Sequence, residues 1–228
     1  MKEVAGLEVI QRLNPNSKTH VVIFHGYGAN SNDLASLQQA LDPQNKFNWH
    51  FPNGFLKLDM MGGFDSRAWF PIDIQAYEQA RAQGRYRDMA NHRPPGLDEA
   101  RDRLLKFVKV ILEDSDQLIL GGFSQGSMLT MELSHYLKDV LKAVIILSGA
   151  ILDEVTWFPK IEELGGLPFI QSHGVQDPVL SFQEAERLSE KLISSHWKGQ
   201  FHSFQGGHEI PLQVLMQVKQ FMNNLNLK

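Results

Sequence analysis

The sequence predicts an α/β fold in which helices cover both faces of a mostly parallel β-sheet. Short apolar runs, such as His20–Phe24 and Ala143–Leu147, alternate along the chain with longer segments of helical periodicity. Runs that are apolar at consecutive positions are typical of parallel strands, which are buried on both faces. The length of 228 residues, with 43% hydrophobic residues, favours a single domain over residues 1–228.

Composition narrows the class of protein. The net charge is −4 and there is no basic block, so nucleic-acid binding is not expected. The chain contains no cysteine, which excludes disulfides, thiolate nucleophiles and cysteine-ligated zinc. No run reaches the roughly 20 apolar residues of a transmembrane helix, and the N-terminal residues do not resemble a signal peptide. We therefore expect a cytoplasmic protein; whether it forms a homodimer is left open.

The elements are predicted in a regular order. Strands are predicted at Leu7–Leu13 (an edge strand), His20–Phe24, Phe47–Phe51, Leu118–Leu120, Ala143–Leu147, Leu167–Gln171 and Gln200–Phe204. Helices are predicted from a cap at residues 31–33 to about Leu41, over Leu97–Asp114, from residue 125 to about Leu137, and over Phe182–Ser194 and Ile210–Asn223. The segment Ile151–Gly166 is expected to be irregular, with a possible short helix.

A candidate nucleophile lies where the strand Leu118–Leu120 meets the following helix. Gly122, Ser124 and Gly126 have the spacing of a nucleophile elbow, in which a serine occupies a sharp, strained strand-to-helix turn. Glycines on both sides remove the Cβ atoms that would collide as the strand and helix approach. The alternative is an ordinary glycine-rich turn with a capping serine.

A serine needs a base and an orienting acid, and in a parallel sheet both should follow strand ends. Of nine histidines, His208 fits best, because it follows Gln200–Phe204 in a glycine-containing loop and comes after the acid. Asp177 is the favoured acid, with Asp153 and Glu154 in reserve. Asp177 could instead be a turn aspartate before proline.

The negative charge that develops in acyl transfer requires preorganised backbone N–H groups. The residue after the nucleophile, Gln125, should supply one of them at the start of its helix. The loop His25-Gly26-Tyr27-Gly28 after the first buried strand should supply the other, and the Tyr27 N–H is our candidate. The alternative is that these glycines only permit a tight turn.

The long stretch 55–95 lacks the regular pattern, apart from a helical-looking Asp73–Ala90. A connection of this length is usually a lid or binding loop, although it could also be a packed surface excursion. We expect it to border the active site and to supply an apolar wall for an acyl chain. The residues expected in this wall are Phe55, Leu56, Met60, Met61, Trp69 and Phe70.

Four motifs together resemble the phospholipase/carboxylesterase family of α/β-hydrolases, which includes acyl-protein thioesterases. They are HGYG (25–28), GFSQGS (122–127), HGVQDPV (173–179) and GGHEI (206–210), and the resemblance extends over nearly the whole chain. It implies an α/β-hydrolase fold without a separate cap domain. It also implies that Ser124 is the nucleophile, Asp177 the acid and His208 the base, with the N–H groups of Tyr27 and Gln125 as oxyanion hole.

The expected activity is therefore hydrolysis of carboxylic esters or acyl thioesters, through an acyl-enzyme on Ser124. The substrate would be a small-molecule ester or an acylated molecule, and no cofactor or metal is expected. Two departures from the family pattern are Ser127, where glycine is usual, and Tyr27, where leucine is common. Arg67-Ala68-Trp69-Phe70 is similar to an aromatic element near the family's pocket. The alternative function is a non-catalytic binding module on the same fold.

Overall fold

The computed structural model describes residues 1–59, 65–113 and 115–227. Within these residues there are ten strands. In chain order they are β1 Lys2–Val4, β2 Leu7–Arg12, β3 Thr19–Phe24, β4 Asn48–Pro52, β5 Leu56–Leu58, β6 Ser66–Ala68, β7 Gln117–Phe123, β8 Leu141–Leu147, β9 Pro168–Gly174 and β10 Lys198–Phe204.

The same residues form eight α-helices and a short 3₁₀ turn at His135–Leu137. The helices are α1 Ser31–Ala35, α2 Leu37–Leu41, α3 Ile74–Ala82, α4 Leu97–Leu112, α5 Gln125–Ser134, α6 Glu154–Glu163, α7 Phe182–Ser194 and α8 Leu212–Asn223. None of these described helices is long and apolar enough to span a membrane.

Eight strands form one sheet in the order β1-β2-β4-β3-β7-β8-β9-β10. From β4 to β10 neighbouring strands run parallel, whereas β1 and β2 are antiparallel additions at one edge. Strands β5 and β6 form a separate antiparallel hairpin. The predicted mostly parallel sheet, flanked by helices and without a separate cap domain, is confirmed.

Each face of the sheet has its own hydrophobic core. Alternate residues of β3 divide between them, with Val22 and Phe24 in one cluster and Val21 and Ile23 in the other. Helices α4, α5, α6 and α7 cover the first face, and α1, α2 and α8 cover the second. Burial on both faces explains why the central strands are continuously apolar.

Two predictions near the N-terminus need correction. The strand expected at the sheet edge, Leu7–Leu13, is observed as β2 and is covered by β1, which pairs with it through a tight turn with positive φ at Ala5 and Gly6. The first helix is capped by Asn30 instead of by residues 31–33, and Asp33 completes the capping box. It also divides at Ser36 into α1 and α2.

Two further elements differ from the predicted ones. The helix expected over Asp73–Ala90 ends at Ala82, shortly before Gly84, which has a φ of +66°. The segment Ile151–Gly166, expected to be irregular with a possible short helix, contains the ten-residue helix α6. Pro159 lies inside this helix and is normally a helix breaker, so the sequence pattern concealed it.

Candidate active site

The elbow serine lies at the carboxyl end of β7, where the chain turns into α5. Ser124 has φ 56° and ψ −118°, a strained conformation for a residue with a side chain. A Cβ on Gly122 would lie 2.2 Å from Gly126 C, and one on Gly126 would lie 2.1 Å from Phe24 O. These contacts explain both glycines of the motif. Ser127 Oγ donates to Ser124 O (2.7 Å), which further fixes the turn.

The loop after β3 is held by the buried side chain of His25. Its Nδ1 donates to Gly26 O (2.7 Å), and its Nε2 accepts from the Gly54 N–H (2.9 Å). Burial lowers the pKa of His25 to about 4, so the ring stays neutral and keeps this arrangement. Trp69 packs against the ring and donates its Nε1–H to His25 O (2.8 Å).

The hairpin β5–β6 supports the same loop from outside. Gly28 N donates to Arg67 O (2.8 Å), and Arg67 N donates to Ala29 O (2.9 Å). No hydrogen bond among the described residues uses the N–H of Tyr27 or of Gln125. Both residues line the pocket described below. Among the described residues, these two backbone donors therefore have no partner.

Asp177 and His208 are joined by a short hydrogen bond. His208 Nδ1 lies 2.7 Å from Asp177 Oδ2, and the Asp177 side chain is fully buried. Asp177 follows β9 and His208 follows β10, as predicted from strand ends. Because Nδ1 donates to the carboxylate, Nε2 is left as the nitrogen that can accept a proton.

The Asp177 carboxylate has further donors. Its Oδ1 accepts from the N–H groups of Val179 (2.7 Å) and Leu180 (2.9 Å). Burial would raise its pKa, but the hydrogen bond and charge of His208, with these two N–H groups, outweigh burial and lower it. His173 Nε2 lies 3.3 Å from Asp177 Oδ2 and 3.2 Å from Leu180 O. His173 therefore contacts the Asp177 carboxylate directly.

The two reserve acids have other partners. Asp153 forms an ion pair with Arg93 at 3.0 Å, in a network that includes the buried Glu132. Glu154 forms an ion pair with Arg187. Neither contacts His208 through any hydrogen bond or ion pair of the described residues. The geometry favours Asp177 as the partner of the histidine.

Ser124 and His208 line one pocket, together with Tyr27 and Gln125. This active-site pocket has a volume of about 370 Å³. Its remaining lining is apolar or aromatic and consists of Ile72, Ile74, Tyr77, Met128, Val179 and Leu180. The pocket thus brings together a hydroxyl, an imidazole, the backbone of Tyr27 and Gln125, and an apolar wall.

The observed wall differs from the predicted one. Trp69 and Phe70 are completely buried; Gln125 binds their backbone, with Oε1 accepting from Trp69 N (3.0 Å) and Nε2 donating to Phe70 O (2.8 Å). Phe55 packs on the core under Arg103, and Leu56 belongs to β5. None of these four lines the active-site pocket. Met60 and Met61 lie outside the described residues.

Several pocket-lining residues that the sequence analysis does not name lie close in sequence to recognisable features. Met128 is four residues after Ser124, on the same face of α5. Val179 and Leu180 directly follow the Asp177-Pro178 turn, and Ile74 and Tyr77 are three apart on α3. In the part of the chain that the structure describes, no three acidic or histidine side chains converge as metal ligands.

Comparison with known proteins identifies the family. The family model described as phospholipase/carboxylesterase matches residues 5–226. The chain belongs to this family. Acyl-protein thioesterase 1 of Kluyveromyces lactis is 26% identical over 222 residues, which cover 91% of this chain and 92% of that protein. The family assignment identifies the chain as a hydrolase of the esterase and thioesterase class and bears out the resemblance noted in the sequence.

Solved structures agree with the assignment. The esterase PE8 superposes with a TM-score of 0.78 at 27% identity, covering 96% of this chain and 99% of that one. The carboxylesterase of Bacillus cereus has a TM-score of 0.71 at 16% identity, covering 96% and 94%. At that identity the second comparison supports the fold alone. The α/β-hydrolase fold of this family member is thereby confirmed.

Proposed function

We propose that this protein is a serine hydrolase that cleaves carboxylic esters or acyl thioesters through an acyl-enzyme on Ser124. The observation that supports this most strongly is the 2.7 Å bond between His208 Nδ1 and Asp177 Oδ2, beside the pocket that Ser124 and His208 share. The strained conformation of Ser124 at the end of β7 is a second support.

In the first step, Ser124 Oγ attacks the carbonyl carbon and His208 Nε2 takes the hydroxyl proton. Asp177 orients the imidazole and stabilises the cation that forms. The N–H groups of Tyr27 and Gln125 stabilise the oxyanion, each contributing about 10²–10³ in rate. The intermediate collapses when the bond to the alcohol or thiol breaks, and His208 returns the proton to the leaving group.

In the second step, water attacks the Ser124 ester. His208 removes a proton from the water, the tetrahedral intermediate collapses, and the proton returns to Ser124 Oγ as the carboxylic acid leaves. The apolar lining of the pocket suits the acyl part of the substrate. Membership of the family, and the thioesterases and esterases among its relatives, support the same chemistry.

The test is to treat the protein with a fluorophosphonate probe and to assay p-nitrophenyl butanoate and an acyl thioester. We expect labelling and turnover in the wild type, and loss of both in Ser124→Ala. Ser203→Ala, at an exposed position in β10, is the matched control and should behave as the wild type. A wild type that is neither labelled nor active would favour the alternative, a non-catalytic binding module.

A further inference from the structure

A second cavity lies directly beside the active-site pocket. This side cavity also has a volume of about 370 Å³. Ile72 is the residue that lines both cavities. Each cavity alone is near the lower end of the range of about 300–1,000 Å³ for ligand pockets.

The two linings also touch at two other points. The Arg87 guanidinium, which lines the side cavity, lies 5.4 Å from the ring centroid of Tyr77, which lines the active-site pocket. Gln125 Nε2 of the active-site pocket donates to the backbone oxygen of Phe70 in the side cavity (2.8 Å). The cavities are therefore neighbours, and Ile72 contributes to the lining of both.

The buried part of the side cavity's lining suits hydrocarbon. Phe70, Met89 and Pro94 are its buried residues, and all are apolar. Its polar lining residues are Asp73, Arg87 and His92, and Asp73 and His92 are exposed to solvent. Arg87 Nη1 donates to Asp73 O (3.0 Å), and Asp73 Oδ1 accepts from Ala76 N (3.0 Å). Methylene groups need no hydrogen-bonding partner, so the buried apolar part of this lining can accept an acyl chain.

We propose that Ile72 determines acyl-chain length in this enzyme by closing the active-site pocket against the side cavity. The inference rests on the proposed function. With isoleucine at position 72, the pocket accepts esters of short and medium-chain acids. A longer chain must either stay in water beyond the pocket or pass Ile72. Removing the side chain beyond Cβ joins the two cavities and gives the distal methylenes an apolar site.

The test is the ratio of kcat/KM for p-nitrophenyl dodecanoate to that for the butanoate, measured below the micelle concentration of the longer ester. We expect this ratio to be below one in the wild type and to rise at least about tenfold in Ile72→Ala, since each methylene removed from water favours binding by about fourfold. Ile72→Val should raise the ratio by a smaller factor, and this milder variant keeps the test valid if Ile72→Ala unfolds.

Two variants control for a general loosening of the pocket. Ile74→Ala removes a side chain that lines the active-site pocket alone, and it should change the ratio by less than about threefold. Adding His92→Trp to Ile72→Ala should reverse the gain, because His92 lines the side cavity and is exposed enough to accept a larger ring.

The proposal is overturned if the wild type already prefers dodecanoate. It is also overturned if Ile72→Ala and Ile74→Ala change the ratio equally, or if His92→Trp does not reverse the gain. In each of these cases fluorophosphonate labelling and butanoate turnover persist. Such results would contradict the role of Ile72 in acyl-chain selection and leave the proposed hydrolase function standing. A wild type that is neither labelled nor active would instead contradict the proposed function.

Discussion

The two sides of the active-site pocket are constructed differently. On one side, Ser124, Asp177 and His208 follow the ends of parallel strands β7, β9 and β10, and hydrogen bonds fix each turn. On the other side, Ile72 and Ile74 come from the irregular excursion between β6 and α4. The sheet therefore positions the proposed catalytic groups, whereas the excursion contributes part of the apolar lining in front of them.

This difference predicts that substitutions on the sheet side reduce turnover for every substrate. Substitutions on the excursion side should change which acyl group is accepted, or lower the stability of the fold around the pocket. They should leave the chemical steps of the reaction largely unchanged. Three experiments test that division.

The largest effect is expected from the acid. Asp177→Asn should lower kcat/KM by about 10³–10⁴, because the amide cannot hold His208 in the required tautomer. Asp153→Asn should lower it less than about tenfold, since Asp153 pairs with Arg93 instead. Steady-state assays with p-nitrophenyl butanoate measure both. A larger loss in the Asp153 variant would reverse the assignment of the acid.

An intermediate effect is expected from His25, where the two sides meet. Its pKa is about 4 in the folded protein and about 6.5 when unfolded, so between these values the unfolded chain binds more protons. The stability that neutral His25 provides is complete above pH 6.5 and is lost as the pH falls towards 4. Between pH 7 and pH 5 the loss of this contribution to the free energy of unfolding amounts to about 2 kcal/mol.

The measurement is the free energy of unfolding in urea at pH 7 and pH 5. The His25→Asn variant should be less stable than the wild type at pH 7. Between pH 7 and pH 5, however, its free energy of unfolding should fall by about 2 kcal/mol less than that of the wild type. His196→Asn, at an exposed position with positive φ that asparagine tolerates, controls for the loss of a histidine. Equal pH dependence in His25→Asn and the wild type would contradict the neutral role of His25.

The smallest effect is expected from Tyr86, which links the excursion to the acid. Its hydroxyl donates to Asp177 O (2.7 Å), although the side chain is half exposed. Tyr86→Phe should lower kcat/KM by about two- to fivefold, with a loss of stability of no more than about 1 kcal/mol. Tyr136→Phe, at a similarly exposed tyrosine, is the matched control. A loss of kcat/KM of more than about 100-fold would show that Tyr86 takes part in catalysis. The two sides of the pocket would then not have separate roles.

The same division explains what could be predicted from the sequence. The order of the central strands, and the location of Ser124, Asp177 and His208 after them, followed from local patterns: apolar runs, glycine spacing and strand ends. The aromatic pair Trp69 and Phe70 was expected at the pocket, but both are buried under Gln125. Apolar side chains look alike in sequence whether they face a core or a cavity, so only the packing separates them.

The helix α6 and the pocket residue Ile72 illustrate the same limit. Pro159 concealed the helix, because a local breaker signal was overridden by burial of Trp157 and Ile161 against the core. Ile72 carries no motif, and its place between two cavities depends on how α3 and the segment before it fold back over the sheet. Such long-range packing has no short sequence signature.

The most direct test of the central claim is to quench the reaction with p-nitrophenyl butanoate in the first turnover and to locate the acyl group by peptide mass spectrometry. We predict a burst of p-nitrophenol together with one butanoyl group on the peptide that contains Ser124. A burst without that group on Ser124, or a butanoyl group on another residue, would contradict it.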